Sequence, residues 1–508
     1  MKLALMLAAC TAAHAATCES LKTIALKDTT VAAETVSAGS FTPPGGGRGM
    51  PVSAAFCRVF GSIRPTPDSD IQFEVWMPAS AWNGKFQGLG NGGFAGSIDY
   101  RSLAMLVSSG YAAAATDTGH RGGVTDAKWA LHHPEKTIDF GYRAIHETAV
   151  KAKAILATFY GNAPRRAYFS SCSNGGRQAL MEAQRYPEDY DGIVAGAPAN
   201  YWTHLLTAGA WETQAMSQPG AWTPRTKLPA IEAATLAACD ALDGVKDGVI
   251  DDPTRCHFDP AALLCKGEES DECLTAPQVA AIGKVLSGPK TSAGQSIFPG
   301  KEPGGIPGAN GWQDWITGTA AGFSLGAAFS NNFFSNMVFE NPQWNNALLD
   351  FDRDPGVADK KLAAILNAVD PDLSRFQKRG GKLILYHGWS DAGIAPRNTV
   401  DYYNAVLKKM GAGTSASFVQ LYMVPGMDHC SGGPGPNDFG QSSPGEGVNL
   451  AIEAWVEQGK APAQLTASNK QGGKTITRPL CPYPQVAQWD RKGSTDEAAS
   501  FVCRAQAR

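Results

Sequence analysis

The chain has 508 residues, a formal net charge of −3 and 43% hydrophobic residues. That length can bury a large core, and the near-balanced charge without a Lys/Arg block offers no footing for nucleic acid or an anionic membrane surface. Fifty-six glycines and 32 prolines point to many ordered turns, while the apolar content excludes a largely disordered chain.

Met1-Lys2 followed by Leu3-Ala4-Leu5-Met6-Leu7-Ala8-Ala9 and then Ala13-His14-Ala15 reads as a secretory signal peptide over residues 1–16. It is too short to span a bilayer, and no later apolar run is long enough to do so. Leu7-Ala8-Ala9-Cys10 also resembles a lipoprotein box, so acylation of Cys10 is the alternative to simple export, secreted or periplasmic. Removal of the leader leaves ten cysteines, an even number without any CxxC. In an exported chain that is a disulfide framework and not a metal site. No Asn-x-Ser/Thr sequon occurs, which favours bacterial over eukaryotic export.

Residues from Cys18 to about Arg64 read as an irregular segment that a Cys18–Cys57 bridge would pin to the body. Ile71–Pro78 alternates as a half-buried strand, and Lys85–Leu89 is the next. The latter enters Gly90-Asn91-Gly92-Gly93-Phe94-Ala95-Gly96, a glycine-rich loop of the kind that supplies an oxyanion amide. A small-residue strand, Gly110–Ala115, ends in Thr116-Asp117-Thr118-Gly119-His120, and apolar spacing predicts helix from Ile138 to Tyr160. The apolar Ala167-Tyr168-Phe169 then leads through Ser170-Ser171-Cys172-Ser173-Asn174-Gly175-Gly176 into a helical pattern. Strand, small-residue turn and helix with a serine at the turn is a nucleophile elbow, here with Ser171 and Gly175 as its small flanks. Gly192–Ala199 is another buried strand.

The strand–helix rhythm stops at about Asn200 and resumes at Lys382–Gly388, ending in Trp389-Ser390-Asp391. Helix Asn398–Met410, strand Ser417–Met423, the turn Val424-Pro425-Gly426-Met427-Asp428-His429-Cys430, helix Asn449–Gln458 and a proline-containing tail complete the chain. The expected fold is α/β with a mostly parallel sheet. It divides into hydrolase segments 17–199 and 374–508 around a lid, residues 200–373, whose aromatics include Phe329, Phe333 and Phe334.

Ser173, Asp391 and His429 follow the Ser…Asp…His order of α/β-hydrolases, and each comes just after a predicted strand. His429 would take the Ser173 proton and Asp391 would fix the imidazole. The N–H groups of Asn174 and of Gly92 or Gly93, with Gly93 the choice, would hold an oxyanion. His120 and His387 read as structural or supporting histidines, because neither comes after Asp391; Asp117 and Asp428 are the alternative acids.

Cysteine adjoins both the serine and the histidine, as Cys172 and Cys430, and a bridge between them would tie nucleophile and base together. With that Cys-Ser…Asp…His-Cys arrangement the sequence resembles the tannase/feruloyl esterase family, which includes the bacterial hydrolase of mono(hydroxyethyl) terephthalate. The resemblance covers nearly the whole mature chain.

Asp240, Asp243, Asp247, Asp251 and Asp252 crowd thirteen residues in the predicted lid. Alternate carboxylates and carbonyls there suit a hard cation such as Ca²⁺, although Val245 and the lack of a closing Glu exclude an EF-hand. Asx turns without any ion are the plain alternative. The resemblance implies a structural calcium held by the side chains of Asp240, Asp243 and Asp247 and the main-chain oxygens of Val245 and Val249. It also implies bridges Cys239–Cys256, Cys265–Cys273 and Cys481–Cys503.

The expected activity is that of an exported serine carboxylesterase for small-molecule esters of feruloyl, galloyl or related phenolic acids. Terephthalate monoester hydrolysis is the alternative, less favoured because Ile394, three residues after Asp391, is no aromatic wall and no carboxylate-clamping arginine can be placed. A non-catalytic calcium-dependent binding protein on the same scaffold is the rival from another class. A serine peptidase or acyltransferase would share the triad.

Overall fold

The computed structural model describes residues 16–308 and 310–505. The leader cleavage and the Cys10 acylation expected from the sequence concern residues that lie, but for Ala16, outside that range. Among the described residues no helix is long and apolar enough to cross a membrane.

A nine-stranded sheet organises the chain. Its strands are β1 (Thr29–Val36), β4 (Phe56–Ile63), β5 (Ile71–Pro78), β6 (Lys85–Gly88), β7 (Ala112–Thr116), β8 (Arg166–Cys172), β9 (Gly192–Gly196), β10 (Lys382–Gly388) and β11 (Val419–Val424), with β2 (Gly39–Phe41) and β3 (Met50–Val52) forming a separate hairpin. The spatial order is β1-β4-β5-β7-β6-β8-β9-β10-β11. β1, β4, β5 and β7 pair antiparallel in turn, and every pairing from β7 through β6 to β11 is parallel. Parallel strands buried on both faces are apolar throughout; β9, Gly-Ile-Val-Ala-Gly, is buried at every residue. Helices cover both faces, among them Ala144–Tyr160, whose Ala-rich run stops at Gly161 in the left-handed region, φ 73°.

Two expectations are corrected. The segment Cys18–Arg64 is not irregular, since it supplies β1 to β4. β1 is an edge strand, half-exposed along its length, so the alternation that marks a strand is blurred there. The tail likewise forms two hairpins, β12 (Leu465–Gln471) with β13 (Lys474–Leu480) and β14 (Gln485–Trp489) with β15 (Phe501–Ala505). The Gly472-Gly473 dipeptide between alternating segments is the turn signal for the first pair.

Between β9 and β10 the described residues contain helices, turns and isolated bridges but no strand. The helices Trp202–Met216 and Leu325–Asn332 pack closely: a Cβ on Gly209 would lie 2.8 Å from the Gly326 carbonyl oxygen. β9 and β10 are parallel neighbours, so this segment occupies an ordinary crossover connection of the sheet.

Candidate active site

The turn after β8 turns sharply at Ser173, whose φ and ψ of 66° and −126° are strained for a residue with a side chain. Three backbone hydrogen bonds hold it there: the Ser173 N–H donates to the Gly196 carbonyl at 2.9 Å, and the N–H groups of Arg177 and Ala199 donate to the Ser173 carbonyl at 3.1 Å each. A Cβ on Gly175 would fall 1.9 Å from Ser171 Oγ, and one on Gly176 2.3 Å from the Gly196 oxygen. The bare helix start is what lets helix and sheet close around the serine.

Loops leaving β10 and β11 bring Asp391 and His429 to that turn. His429 Nδ1–H donates to Asp391 Oδ2 at 2.8 Å, so Nε2 is the bare nitrogen and accepts from the Ser173 hydroxyl at 2.9 Å. Asp391 is fully buried at its carboxylate and accepts three more hydrogen bonds: from His387 Nε2 at 3.1 Å and from the N–H groups of Gly393 and Ile394 at 2.8 Å each. Burial works to raise its pKa, but His429 and His387 outweigh it and hold the carboxyl well below the usual range. His387 in turn accepts at Nδ1 from Thr399 Oγ1, 2.7 Å away. It orients the acid and has no contact with the serine. Such a relay can withdraw the serine proton and return it to a leaving group.

The alternative acids stand elsewhere. Asp117 accepts from the N–H groups of Gln72 and Gly119. Asp428 is buried with neither carboxylate oxygen hydrogen-bonded, and burial together with Asp391 and Glu232 pushes its pKa up to about 8.

Gly93 and Asn174 line the same cavity as Ser173 and His429. Asn174 begins a helix, so its N–H has no intrahelical acceptor, and Gly93 N–H has no partner among the described residues. Gly93 has φ 55°, and a Cβ there would strike the Val124 oxygen at 2.3 Å. His120, stacked on Trp129, hydrogen-bonds the Phe94 carbonyl at 2.6 Å and so braces the glycine-rich loop. Gly92 is not among the cavity residues.

The five disulfides are Cys18–Cys57, Cys172–Cys430, Cys239–Cys256, Cys265–Cys273 and Cys481–Cys503. Cys172–Cys430 joins the residue before Ser173 to the residue after His429.

A cavity opens above Ser173. Its walls include Trp202, Leu206, Trp315, Phe329 and Ile394. Trp315 stacks on Phe329 and meets His429 edge-on, at centroid distances of 5.8 and 5.0 Å. Phe333 and Phe334, by contrast, are core. No arginine is among the lining residues.

Sequence reading overlooked Arg177, Glu212, Lys301 and the wall position of Trp315. Arg177 is wholly buried and donates to Asn174 Oδ1 and to the carbonyls of Phe140, Gly141 and Leu366. With no carboxylate partner, burial lowers its pKa to about 9. It fastens the elbow helix to two other segments. The sequence signal for Glu212 and Lys301 is weak, because nothing in either neighbourhood marks a charged residue as buried.

The aspartate-rich loop lies inside the Cys239–Cys256 bridge. Asp240 accepts from the N–H groups of Asp247 and Gly248, Asp243 from Val245, and Asp247 from Val249 and from Arg478. Burial pushes the Asp243 carboxyl up to about 6 and raises Asp247, and repulsion from Asp240 adds to both. These donors are oxygens, the kind a hard divalent cation takes, and Arg478 already pairs with the Asp247 carboxylate.

The family model for tannase and feruloyl esterase matches residues 57–504. An uncharacterized esterase of Xanthomonas campestris pv. campestris is 42% identical over 97% of this chain and 92% of its own length. The mono(2-hydroxyethyl) terephthalate hydrolase of Piscinibacter sakaiensis is 34% identical, over 88% and 85% respectively. The crystal structure of feruloyl esterase B from Aspergillus oryzae superposes with a TM-score of 0.89 at 29% identity, covering 96% of this chain and all of the other.

Proposed function

The chain belongs to the tannase and feruloyl esterase family and is a carboxylic ester hydrolase, and from that premise we propose that it is an exported serine esterase for esters of phenolic and other aromatic acids. The observation that carries this reading is the hydrogen-bonded chain Ser173–His429–Asp391 opening into a cavity walled by Trp315, Phe329 and Ile394.

Ser173 Oγ attacks the ester carbonyl while His429 Nε2 takes its proton. The carbonyl oxygen becomes an oxyanion held by the N–H groups of Gly93 and Asn174, a contribution of about 3–4 kcal/mol per donor in such sites. Asp391 stabilises the imidazolium. The C–O bond to the alcohol breaks as His429 returns the proton to it, leaving an acyl-Ser173 ester. Water, deprotonated by His429, then attacks that ester, and collapse frees the acid and the serine.

Residues 200–373 act as a lid in this reading, since they supply Trp202, Trp315 and Phe329 to the wall. Ca²⁺ would be held by Asp240, Asp243, Asp247 and the carbonyls of Val245 and Val249. It would draw the repelling carboxylates together and stabilise the loop, taking no part in the reaction. Hydrolysis of a terephthalate monoester is favoured by one relative, but the absence of a lining arginine speaks against a ring carboxylate.

The test is turnover of methyl ferulate and methyl gallate by the wild type and by Ser173→Ala. Turnover of either that Ser173→Ala abolishes, in a protein with unchanged melting behaviour, supports the reading. Turnover by Ser173→Ala near the wild-type rate removes the serine mechanism.

A further inference from the structure

Away from the cavity above Ser173, a second group of buried ionisable side chains converges from three elements. Glu182, on the helix Asn174–Arg185 that starts after Ser173, is 0% exposed, and neither of its carboxylate oxygens has a hydrogen-bond partner. Asp189, in the turn before β9, is 3% exposed. His146, on the helix Ala144–Tyr160, lays its ring on Tyr186 at a centroid distance of 3.7 Å. Its Nδ1 lies 2.6 Å from Asp189 Oδ2. One imidazole nitrogen of His146 and one oxygen from each acid lie within 4.8 Å of one another.

The basic group at this cluster is Lys153. Its Nζ donates to the Asp189 main-chain carbonyl and stands 3.6 Å from Asp189 Oδ1, while among the described residues no side chain donates to Glu182. One ammonium against two buried carboxylates leaves a negative charge over. Burial, and then the facing charge of Asp189, push the Glu182 carboxyl's pKa well up. A proton held between the two acids would give one oxygen of Glu182 a partner and leave the other bare in a dry site, which is costly. A divalent cation can take both oxygens of one carboxylate, an oxygen of the second and a neutral imidazole nitrogen.

The donor set selects the ion. Two carboxylates with one imidazole suit Zn²⁺, whereas Ca²⁺ takes about six to eight oxygens. Ligand atoms bound to zinc at about 2.0–2.2 Å stand at most about 4.4 Å apart, so small side-chain rotations complete the set. We propose that His146, Glu182 and Asp189 bind one Zn²⁺, which fastens the helix Asn174–Arg185 to the helix Ala144–Tyr160 and to the entry of β9. The proton that His146 Nδ1 donates to Asp189, and any on Glu182, leave to solvent as the ion binds. Glu182 lies about 13 Å along its helix from Ser173, so the ion takes no part in the ester chemistry.

The experiment titrates zinc chloride into the full chain by calorimetry and by thermal scanning. Excess calcium chloride keeps zinc from the lid aspartates. The expected result is one zinc per chain and a melting temperature raised by about 2–3 °C at a hundredfold excess over the dissociation constant. Glu182→Gln, which keeps the shape and removes the charge, and His146→Gln should each weaken binding by about a hundredfold or more, since losing a ligand costs at least what losing its outer partner does. Asp243→Asn, in the lid, should leave binding unchanged. No zinc bound by the wild type overturns the proposal, whether or not any variant folds. Binding that both Gln variants retain puts the ion on other residues and overturns it too, as does binding lost in Asp243→Asn. Loss in only one of two folded Gln variants excludes the three-ligand site, and where one variant fails to fold the other decides.

Discussion

Replacing both Cys172 and Cys430 by alanine should destabilise the protein more than removing a short bridge does. The two cysteines are 258 residues apart in sequence, and the loop-entropy relation gives about 5.5 kcal/mol for a closed loop of that length. The nested Cys239–Cys256 and Cys265–Cys273 bridges shorten the effective loop by an amount worth only about 0.1 kcal/mol. Cys481–Cys503 closes 22 residues, worth about 3.4 kcal/mol by the same relation, and serves as the control. With an unfolding entropy of about 2.1 cal/mol/K per residue, the two double variants should melt about 5 °C and about 3 °C below the wild type. The rate should separate them further. Cys172 and Cys430 flank the 2.9 Å contact between Ser173 and His429, and misplacing reacting groups by about 1 Å reduces rates about a hundredfold. Scanning calorimetry and ester turnover on the three proteins read both quantities. A Cys172→Ala/Cys430→Ala protein that melts no lower than the control, with kcat intact, would refute the view that this bridge restrains the unfolded chain and clamps the site.

Asp391→Asn should lower kcat by about 10³–10⁴-fold with little change in KM, since the amide can donate to His429 and favour the wrong tautomer; steady-state kinetics with a fall under tenfold would count against the relay. Chelation of divalent ions should lower the melting temperature before it lowers the rate per folded molecule, and a thermal scan with EDTA that matches the untreated protein would argue against the lid ion. Asp428 has its pKa pushed up to about 8, against an ordinary value of 3.8, by burial. Between those values the folded chain keeps a proton that the unfolded chain has released. Its contribution to stability is thus complete below about pH 4 and is lost as pH rises through 8. Asp428→Asn should therefore melt closer to the same temperature at pH 5 and pH 8.5 than the wild type does, and an identical pH dependence in both proteins would dispose of the idea.

The sequence made the candidate site readable because each of its parts sits beside a strong local signal. Ser173 follows an apolar strand and precedes glycines that a tight turn requires, and Asp391 and His429 each lie on the loop after another apolar strand. Cysteines beside two of the three added a long-range constraint that local patterns lack. What stayed hidden depends on packing between distant segments. β1 lies at the sheet edge, so its half-exposed residues carry no clear alternation. Arg177 looks like an ordinary surface helix residue until the carbonyls of Phe140, Gly141 and Leu366 surround it. Glu212 and Lys301 are 89 residues apart, and only the folded cavity puts them side by side. The aromatics Phe329, Phe333 and Phe334 were legible as a group, but the sequence does not say which one faces the cavity.

The crossover between β9 and β10 has a consequence for how such a protein changes over time. Ser173, Asp391, His429 and Gly93 all come from loops of the sheet, whereas Trp202, Glu212, Lys301, Trp315 and Phe329 all come from the one stretch between those two strands. On the proposed reading, bond-making parts and substrate-sorting parts are thus inherited on different pieces of chain. Drift within that single stretch can reshape what is admitted while the strands that hold the nucleophile are left alone. An exchange of residues 200–373 between two such proteins would be expected to carry the donor's preference onto the recipient's machinery, with Ile394 and the Gly393 carbonyl as the junction that has to match.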